Sequence, residues 1–177
     1  MTYHCAGSLI SKHFVLTTGS CLDEHTNPKN SNSLIIQLGR TNFRSIDENT
    51  QTFYTKQVIY HPNYVKKNFV EDAALLKLSK PAKINEFVRP ICLWENHLIP
   101  TTEVLVPGFD FDASTYTGDE LHTIKMKLVG IDKCKETDLN IEKKTSLICG
   151  TFYENSTCLG EYLNNLKRYD CYLNNNF

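Results

Sequence analysis

Seven cysteines in 177 residues constrain this chain more than any other feature. They stand at Cys5, Cys21, Cys92, Cys134, Cys149, Cys158 and Cys171, spread from one end to the other. No two form a CxxC pair, and no Cys/His group has zinc-site spacing. The usual metal and redox uses of cysteine in a reducing compartment therefore do not fit. The spread fits structural disulfides and a secreted protein. An odd count leaves one thiol free or paired outside the chain. The sequon at Asn155, Asn-Ser-Thr, is compatible with secretion. Met1 is followed almost at once by YHCAGSLIS, which already looks like strand and core rather than a secretion leader. The expectation is a piece of a longer secreted protein.

The chain is long enough for one domain with a real core. Its net charge is -1 and no basic run stands out, which argues against nucleic acid or an anionic membrane as a charge-driven partner. No apolar run approaches a transmembrane span. Short apolar segments dominate: SLIS, FVLTT, SLIIQLG, TFYTKQVIYHP and TSLICG read as strands. In HTIKMKLVG, Ile124, Met126 and Leu128 alternate with Lys125 and Lys127, the period of a half-buried strand. EVLVPGF is strand-like, and its proline favours an edge. DAALLKL fits helix or strand by periodicity alone. IDKCKETDLN reads as a short helix or turn, and the polar tail YLNNNF as frayed. Many short strands divided by turns predict an all-β barrel or sandwich. AKINEFVRPICLW reads as a connector between two halves.

Three separated segments carry a resemblance. HCAGSLISKHFVLTTGSC resembles C-G-G-S-L-I-S…W-V-L-T-A-A-H-C of the trypsin/chymotrypsin-like serine proteases. EDAALLKLSKPAKINEFVRPICL is similar to that family's D-I-A-L-L-K-L…V-R-P-I-C-L. ICGTFYENSTCLGEYLNNL falls where the family has C-A-G…C-Q-G-D-S-G-G-P-L. The resemblance runs from Cys5 to about Leu166. It implies two antiparallel β-barrels of the chymotrypsin type, truncated at both ends. It divides one partial protease domain, 1–177, into a first barrel over 1–81, a connector over 82–102 and an incomplete second barrel over 103–177.

Catalysis in that family needs a serine nucleophile, a histidine base and a buried aspartate that orients the histidine. Position by position, the aspartate is present as Asp72. The histidine position, directly before the cysteine of T-A-A-H-C, is Ser20. The nucleophile position is Tyr162. A serine hydroxyl is far too weak a base near neutral pH to activate a nucleophile. His13 and His25 are near in sequence but off the motif. From Cys158 to Phe177 there is neither serine nor threonine. Gly160 matches an oxyanion position, yet Leu163 and Asn164 replace the glycines that follow the nucleophile. Glu161 replaces the acid that receives the new amino terminus on zymogen activation, and the I-V-G-G start is missing. Ser156 matches the base of the primary specificity pocket, beside the Asn155 sequon. The residues also allow a purely structural account, in which Ser20 donates a hydrogen bond to a buried Asp72 and Tyr162 plugs the cleft.

The resemblance implies disulfides Cys5–Cys21 and Cys134–Cys149. The family's partner for Cys158 would lie further downstream, and Cys171 is a substitute. Cys92 would bridge to a segment outside the chain. VRPICL and that external cysteine resemble the clip-domain group of arthropods, whose inactive homologues act as cofactors in proteolytic immune cascades. The function expected is a secreted, non-catalytic serine protease homologue with a protein partner, a protease or zymogen. It would use no cofactor and no metal. Two alternatives stand beside it: an endopeptidase whose sequence is incomplete, and a surface- or glycan-binding protein on a protease scaffold.

Overall fold

The computed structural model describes residues 5–25, 34–42, 44–46, 48–66, 71–93, 103–109, 120–129, 147–152 and 171–174. Among them the chain is all-β apart from one short helix, as expected. The strands are β1 (Ser8–Ser11), β2 (Phe14–Thr17), β3 (Ile35–Leu38), β4 (Gln51–Tyr60), β5 (Ala74–Leu78), β6 (Glu103–Phe109), β7 (Leu121–Val129), β8 (Leu147–Phe152) and β9 (Cys171–Asn174). The helix α1 spans Gly19–His25. No helix among the described residues is long and apolar enough to cross a membrane. The chain divides into two compact units, Met1–Arg40 with Ile46–Trp94 and Thr41–Ser45 with Glu95–Asn175, the last two residues falling with the first unit.

The first unit is an antiparallel sheet in the order β1-β2-β5-β4-β3. The DAALLKL ambiguity is settled by partners on both sides. β5 pairs with β2, Val15 facing Leu76, and with β4, Val58 facing the same Leu76. With both backbone edges satisfied, strand wins over helix for so short a run. β5 alternates between buried Ala74, Leu76 and Leu78 and half-buried Leu75 and Lys77. The buried set joins Leu9, Val15, Leu22, Phe53, Ala82 and Val88 in the core. Phe53 and Leu78 are each 2% exposed, so the core centres on β4 and β5. The segment after β5 is pinned back, Ala82 N–H donating to the Lys12 carbonyl at 2.7 Å and Ile91 N–H to the Leu9 carbonyl at 2.8 Å.

The second unit is an antiparallel sheet in the order β6-β7-β8-β9. β6 carries Pro107 and lies at the edge, where a missing N–H is tolerated. β7 shows the alternation expected of it: Met126 is buried and Lys125 and Lys127 are exposed. Gly150 on β8 makes room for Met126, because a Cβ there would approach the methionine methyl to 2.8 Å.

One expectation needs correction, and one element is new. Tyr172 to Asn174 of the tail are strand, because β9 pairs with β8 in the register Leu147↔Asn174 to Gly150↔Cys171. A sheet edge satisfies this backbone whatever the low β-propensity of asparagine. Gly19–His25, to which the sequence reading assigns no element, form the helix α1. IDKCKETDLN lies outside the described residues.

Candidate functional site

β2 ends at Thr17, and the chain turns at once into α1. The first amides of any helix lack partners inside the helix. Here one is met by a side chain distant in sequence: Ser20 N–H donates to Asp72 Oδ1 at 2.7 Å. Ser20 Oγ donates to Asp72 Oδ2, also at 2.7 Å. Asp72 is 9% exposed, and these are its hydrogen bonds among the described residues. A carboxylate at the start of a helix is also favoured by the helix dipole. Asp72 thus serves as a long-range cap for α1, and Ser20 occupies both of its oxygens.

Ser20 Oγ also lies 3.4 Å from Thr18 Oγ1. A serine has one hydroxyl proton. The shorter bond to the carboxylate takes it, so Thr18 is left to act as donor toward Ser20. Nothing in this arrangement removes a proton from another group.

Asp72 is aimed by the turn before β5. Glu71 holds φ at 51°, the left-handed region that a non-glycine residue enters at a cost of about 1 kcal/mol. Its carbonyl accepts Ala73 N–H at 2.7 Å, and Ala73 in turn accepts His61 N–H at 2.9 Å. The Glu71 side chain stands 4.0 Å from His61 Nδ1.

A tyrosine not singled out from the sequence closes the site. Tyr64 stacks on Tyr60 with centroids 5.7 Å apart and planes 11° apart. Its hydroxyl donates to Asp23 Oδ2 at 2.7 Å. Its ring covers Gly19 so closely that a Cβ there would sit 3.0 Å from ring carbons. Lys66 completes the group, its Nζ 3.7 Å from the same Asp23 oxygen. The signal in the sequence was Gly19 itself: TTGSC has a glycine where T-A-A-H-C has an alanine, directly before the substituted base.

Burial pushes the Tyr64 hydroxyl well above the ordinary tyrosine range, helped by the hydrogen bond to Asp23 and the negative charges of Asp72 and Asp23. The unfolded chain therefore gives up this proton first as pH rises. The stability from Tyr64 is complete below the ordinary value of about 10 and declines as pH climbs above it. Urea midpoints measured from neutral to strongly alkaline pH should fall less steeply for Tyr64→Phe than for the parent. Parallel curves would show that Tyr64 is not the group responsible.

His13 lies exposed in the turn between β1 and β2, where its carbonyl accepts Leu78 N–H at 2.8 Å. His25 ends α1. Among the described side chains, His13 is not a hydrogen-bond partner of Ser20 or Asp72. Cys5 and Cys21 are bonded as the resemblance implies. Cys92 is exposed with a free thiol. Cys149 is on β8 and Cys171 on β9, in the register Cys149↔Tyr172 and Gly150↔Cys171. Cys134, Asn155, Ser156, Cys158, Gly160 and Tyr162 lie outside the described residues. No group of three metal-ligating side chains occurs among the described residues.

A family model described as Trypsin matches residues 1–162. Mannan-binding lectin serine protease 1 of Mus musculus is 31% identical over 157 residues, covering 82% of this chain and 22% of that protein. Trypsin-1 of Salmo salar is 28% identical over 137 residues, covering 76% of this chain and 53% of its own length. The solved structure of GrC, a chymotrypsin-fold serine protease, superposes with a TM-score of 0.71 at 27% identity, over 82% of this chain and 62% of that one. The chain thus spans about a fifth of the first relative and about half of the second. With three motif segments in order, antiparallel sheets and a family match over most of its length, this chain belongs to the trypsin family of serine proteases.

Proposed function

We propose that this chain is a non-catalytic member of its family, a secreted protein that works by binding a protease or zymogen in a proteolytic or immune cascade. The observation that carries this reading is the Ser20–Asp72 pair. In a working enzyme of this kind the buried aspartate orients an imidazole that moves protons. Here both of its oxygens accept from one serine. That serine has no basic nitrogen, and His13, exposed in the turn between β1 and β2, does not take its place. Tyr162 at the nucleophile position adds a second, independent loss. Losing the serine or the histidine of such a centre costs on the order of 10⁶ in turnover. The exposed Cys92 supports a further feature, a disulfide to a segment outside this chain. Two more staples belong to the same reading, Cys134–Cys149 and Cys158–Cys171.

The test is covalent labelling of the full-length secreted protein by a fluorophosphonate probe of activated serines. No labelling is expected, with an active trypsin as the positive control. Ser20→His should remain unlabelled too, because Tyr162 still occupies the nucleophile position. Labelling of the parent protein overturns the proposal.

A further inference from the structure

A groove of about 370 Å³ lies in the first unit, lined by Thr50, Gln51, Thr52, Phe53, Lys80, Pro81 and Lys83. It sits where the start of β4 faces the turn that leaves β5. Both walls are fixed. Gln51 Nε2 donates to the Lys83 carbonyl at 2.7 Å, and Lys83 N–H donates back to Gln51 Oε1 at 2.9 Å. Tyr54 N–H donates to Ser79 Oγ at 3.3 Å, and Ser79 N–H to the Tyr54 carbonyl at 2.9 Å. The groove therefore does not depend on a ligand for its shape.

Its chemistry is one-sided. Two of the lining residues are lysines and none is acidic. Lys80 Nζ lies 5.9 Å from the centroid of the buried Phe53 ring, and neither lysine has a carboxylate partner among the described residues. By contrast, Lys66 and Lys125 are each paired with an acid. Uncompensated cations on a rigid concave surface recognise an anion by charge complementarity. The volume falls in the range of sites for ligands larger than a single inorganic ion. The exposed Pro81 adds apolar contact, which suits a peptide better than a polysaccharide.

We infer that this groove docks a short acidic segment of a partner protein, its carboxylates meeting Lys80 and Lys83. The inference rests on the binding role proposed above and supplies that role with a surface and a partner chemistry. It requires nothing of the Ser20–Asp72 centre.

The test uses the full chain and a fluorescein-labelled oligoglutamate peptide followed by anisotropy. The parent protein should bind it, and added salt should weaken the binding. Lys80→Glu with Lys83→Glu should weaken it by at least about tenfold. Lys127→Glu, half that charge change on an exposed residue of β7, should leave it unaltered. Lys80→Gln with Lys83→Gln provides a milder pair should the reversal of charge disturb folding. Absence of binding overturns the inference, as does equal weakening by the Lys127 variant, which would mean diffuse charge. Tighter binding of a sulfated oligosaccharide, lost in the same lysine variants, overturns it in favour of a glycan ligand. Fluorophosphonate labelling of the same sample separates the two proposals: labelling removes the non-catalytic reading and leaves the groove result standing.

Discussion

Replacing Cys5 and Cys21 together by serine should lower the unfolding free energy by about 3 kcal/mol. The two cysteines are 16 apart in sequence, and joining them removes chain entropy from the unfolded state. Cys5 sits at the start of the described chain, and Cys21 lies in the first turn of α1. The segment between Cys5 and β1 has one other clear tether, the Thr17 hydroxyl donating to the Ala6 carbonyl at 2.8 Å. Without the disulfide, the segment would depend on that bond and on packing, and α1 would lose its link to it. Urea denaturation of the parent and the double variant measures the difference. A loss under about 1 kcal/mol would show that the hydrogen bonds alone define this corner.

The second large effect is expected at Asp72. Asp72→Ala removes the acceptor for Ser20 N–H and for Ser20 Oγ at once. A buried donor left unpaired costs about 1–3 kcal/mol. Ser20 is half-exposed, so water recovers part of this, and a total near about 3 kcal/mol is expected. Ser20→Ala removes only the hydroxyl bond and should cost about 1 kcal/mol. In a double-mutant cycle, the Ser20 substitution should become nearly neutral once Asp72 is gone, with a coupling of about 1 kcal/mol. That pattern belongs to a structural pair. Strictly additive costs would mean that the two side chains do not support each other; the account of Asp72 as a cap for α1, which rests on the Ser20 N–H, would fall if Asp72→Ala cost no more than Ser20→Ala.

Much of this arrangement was legible in the sequence, for identifiable reasons. Lys125, Met126 and Lys127 announce β7 because a strand exposes alternate residues to water and core. Asp72 and Ser20 were found by their place within flanking motifs, and the hydrogen bond between them follows from their chemistry: one is an acceptor without a partner, the other a donor within reach. The helix α1 was missed because seven residues carry too little periodicity to show themselves. Its start is stabilised by Asp72, which is 52 residues away from Ser20 and invisible to any local pattern. β9 was missed for a related reason, since Asn174 and the asparagines that follow it in the sequence disfavour a strand until β8 offers one to pair with. Tyr64 was missed because stacking on Tyr60 and closeness to Gly19 are tertiary facts. The missing Cβ at Gly19 was the one trace they left.

The Ser20–Asp72 pair also bears on how such a chain can change over generations. No single nucleotide change turns a serine codon into a histidine codon. The one-step neighbours on the way are proline, tyrosine, asparagine and arginine. Proline has no N–H to give Asp72 Oδ1, where Ser20 now donates at 2.7 Å. Tyrosine and arginine must fit a long side chain into the place of a small hydroxyl, beside a Gly19 already covered by the Tyr64 ring. Asparagine alone keeps a short side chain with a donor, so it is the narrow way back. The same two hydrogen bonds that hold the start of α1 in place thus leave asparagine as the one intermediate between serine and histidine that this position accepts.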